Sequence, residues 1–129
     1  VNELATFFVQ NVSRKGGTRN NSLFKRTIEP ENGYTPYEIQ CNTLDSIAYN
    51  KDDTYALWID VEGKGYEVLE GASDILRNTK IVFIEVEEKS HWEGQKLAND
   101  VIDLLFSYGF HCFARDAQFG TQYNIMFCK

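Results

Sequence analysis

The amino-acid sequence predicts an α/β fold with a mainly parallel sheet that ends in an antiparallel C-terminal hairpin. Two short apolar runs, residues 55–60 and 81–87, are typical of buried strands, and apolar residues with helical spacing follow each of them. Two further strands are predicted at residues 110–115 and 123–128. The polar link between them contains Gly120 and is too short for a helical crossover, so these last strands are expected to pair as a hairpin.

Composition and charge limit the classes of protein to which the chain can belong. Of its 129 residues, 43% are hydrophobic, which suits a packed core and exceeds what a disordered segment carries. The net charge is −6, and no apolar run approaches the ~18 residues of a membrane-spanning helix. We therefore expect neither a nucleic-acid partner nor a membrane partner. The basic residues that cluster in one Gly- and Asn-rich stretch are interpreted as solvated loop charge: Arg14, Lys15, Arg19, Lys25 and Arg26.

The chain is predicted to be a single domain with two parts. Residues 1–42 are expected to form a strand pair, 5–10 and 37–42, joined by a polar loop. Thr43 is suited to the N-cap of a short helical turn. Residues 43–129 then carry the alternating strands and helices of the α/β part.

Two helices are predicted in this second part. Apolar residues recur with helical spacing across residues 64–78, which predicts one helix with a single buried stripe. Ser90 and Glu93 have the spacing of a capping box, so a second helix is expected to begin there. Gly109 is suited to the C′ position of that helix, where a left-handed backbone is common.

The cysteines are three, an odd number with no close pair: Cys41, Cys112 and Cys128. Each lies among apolar or strand-forming neighbours. This pattern is typical of small core residues in a reduced protein, and it predicts a cytoplasmic location.

Acidic residues follow both apolar runs. Asp60 and Glu62 end the first run, and Glu85 and Glu87 end the second. Ligands in open α/β sheets bind beyond the carboxyl ends of parallel strands, and alternate residues of an extended strand face one side. A carboxylate there can act as general base, orient a substrate hydroxyl, hold a divalent metal, or simply be solvated. Asp60, Glu62 and Glu85 are the candidate catalytic residues, with the solvated alternative open for the two glutamates, whereas Glu87 and Glu88 are expected to be solvated.

His91 and Trp92 follow the second acidic cluster and are the candidate substrate-binding residues. A lone histidine near a helix start is also common on protein surfaces, so this alternative stays open for His91. The sequence has no two-histidine or cysteine-cluster spacing of a zinc site, and no metal is expected. Gly63 and Gly65 follow a strand but lack the third glycine of a dinucleotide-binding loop.

Four segments of the chain resemble the FkbM family of S-adenosylmethionine-dependent methyltransferases. The most recognisable segment is Ile59-Asp-Val-Glu-Gly63, continuing through Glu67-Val-Leu-Glu-Gly-Ala72. Thr43-Leu-Asp45 is similar to the Thr-Leu-Asp turn of the family, Ile84-Glu-Val86 to its next strand, and Ser107-Tyr-Gly-Phe110 to its Gly-Tyr or Gly-Phe corner. The resemblance spans roughly residues 38–113. The chain departs from the family at Trp58, where a lysine is usual, and at Gly65, where an acid is usual.

The resemblance implies a partial Rossmann-like class I methyltransferase fold. It also implies methyl transfer from S-adenosylmethionine to a hydroxyl, often on a sugar or a secondary metabolite, with Asp60 where donor and acceptor meet. The donor-binding half of the family contains an Asp-x-Gly-x-Asn loop, and nothing in residues 1–42 resembles it. The chain is therefore expected to be the C-terminal half of the domain, and to bind the donor weakly on its own.

Two other functions remain open at this point. One is a non-catalytic interaction domain derived from the same fold, and the other is an unrelated α/β enzyme that holds magnesium with its acidic residues. We also expect a homo-oligomer, because the apolar strand at residues 55–60 would expose an unpaired edge unless the strand at residues 5–10 covers it.

Overall fold

The computed structural model describes residues 3–11, 21–28, 30 and 32–129. Within these residues the chain forms six strands and four helices. In chain order they are β1 (Glu3–Gln10), β2 (Tyr34–Cys41), α1 (Leu44–Ala48), β3 (Tyr55–Ile59), α2 (Gly65–Glu70), α3 (Ser73–Asn78), β4 (Thr79–Glu87), α4 (Ala98–Ser107), β5 (His111–Arg115) and β6 (Gln122–Cys128).

The strands form two separate sheets. β1 and β2 pair antiparallel, from Glu3 opposite Cys41 to Gln10 opposite Tyr34. The other sheet has the order β3-β4-β6-β5, in which β3 and β4 pair in parallel and β6 lies antiparallel between β4 and β5. The α/β class and the final antiparallel hairpin are confirmed. Three of the four strands point the same way, but only the β3–β4 pair has parallel hydrogen bonding, because β6 separates β4 from β5.

The core lies on one face of the four-stranded sheet, under α2, α3 and α4. Alternate residues of β4 and β6 are buried there, including Val82, Ile84 and Phe127, each with 0% exposure. On the opposite face, Trp58 of β3 is 79% exposed and its ring packs edge-on against Phe83, with centroids 5.0 Å apart. The apolar run at residues 55–60 predicted a buried strand, and for Trp58 that prediction is wrong.

The helix predicted across residues 64–78 is two short helices, α2 and α3, which separate at Gly71 and Ala72. The cause is a contact from outside the segment. The Gly71 carbonyl accepts a hydrogen bond from the backbone N–H of Asp45, at 2.9 Å, and the Asp45 carboxylate binds N–H groups at the start of α3. The apolar stripe predicted for one helix across residues 64–78 is thus shared between two helices, because Asp45 binds the backbone where they separate.

The start of α4 also differs from the prediction. The helix begins at Ala98 rather than near Ser90, and the Asp100 carboxylate accepts a hydrogen bond from the backbone N–H of Leu97, at 2.8 Å. The Ser90 hydroxyl donates to the carbonyl of Trp92 instead, at 2.6 Å. Gly109 has a φ of +85°, which confirms the left-handed end of the helix.

The cysteines are free thiols, as expected. Cys41 and Cys128 are half-buried, but Cys112 on β5 is exposed, so its assignment to the core is wrong. At the start of α1 the Thr43 hydroxyl accepts from the backbone N–H of Ser46, at 3.2 Å, which confirms the predicted N-cap. In the part of the chain that the structure describes, no helix is long and apolar enough to cross a membrane.

Candidate functional site

The carboxyl ends of β3 and β4 bring four acidic residues to one edge of the sheet. Asp60 and Glu62 follow β3, whereas Glu85 and Glu87 lie in the last part of β4. The four carboxyl groups are close enough to influence one another electrostatically. We call Asp60, Glu62, Glu85 and Glu87 the acidic rim. The three candidate catalytic residues are thus brought together, with Glu87 as a fourth member.

Glu62 has an unusual backbone conformation. Its φ is +45°, and it is the one residue other than glycine with a positive φ among the described residues. The backbone has already left the extended conformation, because β3 ends at Ile59. The alternation that was expected to place Asp60 and Glu62 on one side therefore does not apply. Asp60 is exposed, and Glu62 is half-buried in the turn.

Burial and repulsion perturb the two half-buried glutamates. Burial raises the pKa of Glu62, and the negative charges of Glu85 and Asp60 raise it further. Burial also raises the pKa of Glu85, aided by the charges of Asp60 and Asp116, against a hydrogen bond from Gln122. A carboxylate with a raised pKa is a stronger proton acceptor than an ordinary one.

Glu87 is the most buried acid of the rim, with 6% exposure. Burial, and then the charge of Glu85, raise its pKa to about 7. The side-chain amide of Gln95 donates a hydrogen bond to Oε2 of Glu87, and its carbonyl oxygen accepts from the backbone N–H groups of His91 and Trp92, at 2.9 and 3.2 Å. The prediction that Glu87 is a solvated residue is wrong, because β4 carries it beneath the loop that follows.

A small cavity lies within the rim. Its volume is about 10 Å³, close to the minimum that one water molecule occupies. Its walls combine acidic, amide and basic side chains, and include Glu62, Glu85, Glu87, Gln95 and Lys96. A larger open groove of about 510 Å³ lies elsewhere, between the β1–β2 pair and helices α1 and α2. Its walls include Leu44, Ile47 and Val68 but no residue of the acidic rim.

Trp92 packs beneath the turn after β3, against Gly63. It is 2% exposed, and a Cβ atom placed on Gly63 would lie 2.7 Å from Cγ of the indole. Gly63 has a φ of +86°, which favours glycine independently of the contact. The structure therefore places Trp92 inside the protein, against the backbone that carries Glu62.

His91 lies between the rim and the β5–β6 hairpin. Its Nε2 atom is 2.7 Å from the hydroxyl of Thr121, and its backbone carbonyl accepts from the N–H of Thr27, at 3.0 Å. The residue is half-buried, and its backbone N–H binds the Gln95 side chain that also binds Glu87. The two candidate substrate-binding residues thus occupy different environments, one at the surface of the site and one beneath it.

Residues 21–28, which we call the cover segment, cross the carboxyl ends of β3 and β4. The Ser22 hydroxyl donates to the Glu62 carbonyl at 2.7 Å, and the Lys25 carbonyl accepts from the backbone N–H of Glu93 at 2.8 Å. The Arg26 guanidinium lies 5.6 Å from the Trp92 ring centroid, and its charge moderates the raised pKa of Glu62.

Sequence reasoning missed this cover segment. Arg26 is not a solvated loop charge as predicted, since it lies half-buried at the rim. Arg14, Lys15 and Arg19 lie outside the described residues. The sequence indicates a buried segment here only through the apolar pair Leu23 and Phe24 in a polar stretch. This pair does not show which part of the protein the segment covers.

Metal ligation was one of the alternatives for the acidic residues. Within residues 3–11, 21–28, 30 and 32–129, no three His, Cys, Asp or Glu side chains are grouped so that they could hold a metal ion. The arrangement instead offers carboxyl groups that are able to accept a proton or a hydrogen bond from a hydroxyl.

No curated protein and no solved structure gave a match. The model of the methyltransferase FkbM domain matches residues 2–112, which extends the region of resemblance to the β1–β2 pair and the cover segment. Because this match covers most of the chain, the protein belongs to the methyltransferase FkbM domain family.

Proposed function

We propose that the protein takes part in methyl transfer from S-adenosylmethionine to a hydroxyl group of a small-molecule or glycan acceptor. Two observations support the proposal: the chain matches the FkbM methyltransferase domain, and the four carboxyl groups of the acidic rim meet at the carboxyl ends of its two parallel strands. The second observation carries the assignment of the site. The negative rim also suits a cationic sulfonium donor, because opposite charges attract most strongly where water is partly excluded.

The donor supplies an electrophilic methyl group on sulfur. The acceptor oxygen forms a bond to this methyl carbon while the carbon–sulfur bond breaks, and sulfur leaves as a neutral thioether. The proton of the acceptor hydroxyl passes to a rim carboxylate. Much of the rate enhancement in such a transfer comes from alignment of the two reactants.

Glu62 and Glu85 are the residues we assign to proton acceptance. Their raised pKa values, caused first by burial, make them stronger bases than a solvated glutamate. Asp60 is exposed beside them and is assigned to orienting the acceptor hydroxyl. His91 is assigned to the acceptor side of the site, because its backbone N–H binds the Gln95 side chain that also binds Glu87 of the rim. Trp92 contributes by supporting the Glu62–Gly63 turn, since it is buried.

Methyl transfer from isotopically labelled S-adenosylmethionine to a panel of hydroxylated acceptors tests the proposal. Asp60→Asn, Glu62→Gln and Glu85→Gln should each lower transfer, by on the order of 100-fold for a residue that acts as base, with melting temperatures near that of the wild type. Glu70→Gln is the matched control, because Glu70 is an exposed glutamate on α2 outside the rim. Full activity in all three rim variants would overturn the assignment. A wild-type chain that neither binds the donor nor transfers methyl would instead fit a non-catalytic interaction domain.

A further inference from the structure

Ser22 is one of the few polar residues buried in the described part of the chain, with 3% exposure. Its backbone exchanges hydrogen bonds with Phe8 of β1, at 2.8 and 3.2 Å, which anchors the cover segment to the smaller sheet. Its hydroxyl accepts from the backbone N–H of Phe24 at 3.1 Å and donates to the Glu62 carbonyl at 2.7 Å. With both roles of the hydroxyl in use, the side chain has one favoured orientation.

The atom that Ser22 binds belongs to a strained turn. A left-handed conformation is unfavourable for a residue with a Cβ atom, so it persists only where surrounding contacts hold it. Glu62, at φ +45°, is such a residue, and Gly63 follows with φ +86°. Ser22 binds the carbonyl between them on one side, while Trp92 packs against Gly63 on the other.

We propose that Ser22 is a positioning residue of the acidic rim, which holds the Glu62–Gly63 turn in its left-handed conformation and so keeps the Glu62 carboxyl beside Glu85 and Glu87. Ser22 touches neither donor nor acceptor in this proposal, because it acts through the Glu62 backbone. Its effect on catalysis rests on the proposed function. Its effect on the geometry of the rim does not.

Loss of the Ser22 hydroxyl has a defined electrostatic consequence. A released turn allows the Glu62 carboxyl to move into solvent, which removes the burial and the repulsion that raise its pKa. Glu87 then loses the repulsion that it receives from Glu62. The pKa values of both groups should therefore fall towards their ordinary value of 4.5.

Carboxyl-carbon NMR titration of the glutamates measures this effect without any assay of methyl transfer. Ser22→Ala should lower the titration midpoints of both Glu62 and Glu87. Thr79→Val is the matched control, since Thr79 is also buried and its hydroxyl donates to the Ile75 carbonyl at 2.8 Å, far from the rim. The control should lose similar stability and leave both midpoints in place. Midpoints that do not move in Ser22→Ala, or that move equally in Thr79→Val, overturn the proposal.

A second measurement addresses the strain directly. Glu62→Gly adopts the left-handed conformation at little cost, so Ser22→Ala should lower the melting temperature less in that background than in the wild type. Equal losses in the two backgrounds would count against the proposal. If Ser22→Ala does not fold, Ser22→Cys replaces it, because a thiol keeps a similar shape but donates weakly. Shifted midpoints in a chain without methyl transfer would refute the proposed function and leave the role of Ser22 intact.

Discussion

The carboxylate of Asp45 accepts a hydrogen bond from the backbone N–H of Asp74, at 2.9 Å. The N–H of Ile75 and the hydroxyl of Ser73 bind the same carboxylate, at 2.9 and 3.1 Å. Free N–H groups at a helix start need acceptors, and Ala72, the N-cap residue of α3, has no side chain able to supply one. The Thr-Leu-Asp turn therefore caps a helix that lies almost thirty residues further along the chain.

Asp45→Ala should destabilise the protein by about 1–2 kcal/mol at pH 7, because it removes this cap. Partial burial opposes the charged form of Asp45, but the hydrogen bonds from Asp74, Ile75 and Ser73 outweigh it and lower the pKa. A lowered pKa stabilises the fold above the ordinary value of 3.8, and the stabilisation is lost as the pH falls through the folded-state value.

Urea unfolding at pH 7 and near pH 3 checks this prediction. The difference between Asp45→Ala and the wild type should shrink at the lower pH. Asp53→Ala, in the exposed loop before β3, is the control and should leave stability within about 0.5 kcal/mol of the wild type at both values. Equal stability of wild type and Asp45→Ala at pH 7 would show that the cap is not needed.

Gly63→Ala should be strongly destabilising for two reasons that a matched variant separates. The left-handed φ of +86° costs about 1 kcal/mol with any Cβ atom, and contact with the Trp92 indole adds an overpacking cost of roughly 1–3 kcal/mol. Gly94 has a similar φ of +74° with no atom within 4 Å of a Cβ placed there. Gly94→Ala should therefore show the first cost alone. Thermal unfolding that gives the same loss for both variants would exclude the contact with Trp92 as a cause.

Local patterns in the sequence predicted most of the strands and the class of the fold. In the strands that contain Ile84 and Phe127, the buried residues are apolar and alternate along the chain. A short segment of sequence is enough to show such a pattern. The division of residues 64–78 into two helices was not predictable in this way, because its cause is the carboxylate of Asp45. The start of α4 was missed for a local reason: Asp100 accepts a hydrogen bond from the backbone N–H of Leu97, whereas Ser90, which has the capping-box spacing with Glu93, donates its hydroxyl to the Trp92 carbonyl.

The acidic residues of the site were found from the sequence because parallel strands bring their carboxyl ends together. Their relative burial was not predictable. Asp60, a candidate catalytic residue, is exposed, and Glu87, interpreted as solvated, is buried under the loop that carries Gln95. The burial of a side chain at the end of a strand depends on the other segments of the chain that cross that end. Here these include the cover segment, which is more than thirty residues away in the chain.

The free edge of the four-stranded sheet leads to a prediction about association. Among the described residues β3 lies at an edge of this sheet, and β1, the strand whose cover would have made association unnecessary, pairs with β2 instead. An apolar edge of this kind tends to pair with another chain, so we expect a dimer or higher oligomer. Trp58→Lys should favour the monomer in light-scattering measurements, because Trp58 projects 79% exposed from this strand. Phe119→Lys, at an 87% exposed aromatic in the loop between β5 and β6, should have no such effect. A wild-type chain that stays monomeric at high concentration would contradict the prediction.

Glu87 should make stability depend on pH between about 4.5 and about 7. Burial and the charge of Glu85 raise its pKa from 4.5 to about 7, so in this interval the folded state holds a proton that the unfolded state has released. Stability contributed by the protonated group is complete below 4.5 and is lost as the pH rises to about 7, with a total of roughly 3 kcal/mol. Glu87→Gln cannot ionise, and its amide oxygen still accepts from Gln95. The variant should therefore match the wild type near pH 4.5, exceed it at pH 8 and show a smaller slope in chemical unfolding between the two. Some slope remains, because Glu62 and Glu85 are perturbed in the same direction.

Glu70→Gln, the control, removes one exposed charge and should keep the wild-type slope. An unchanged slope in Glu87→Gln would mean that Glu87 is ionised at neutral pH and that the loop carrying Gln95 does not shield it.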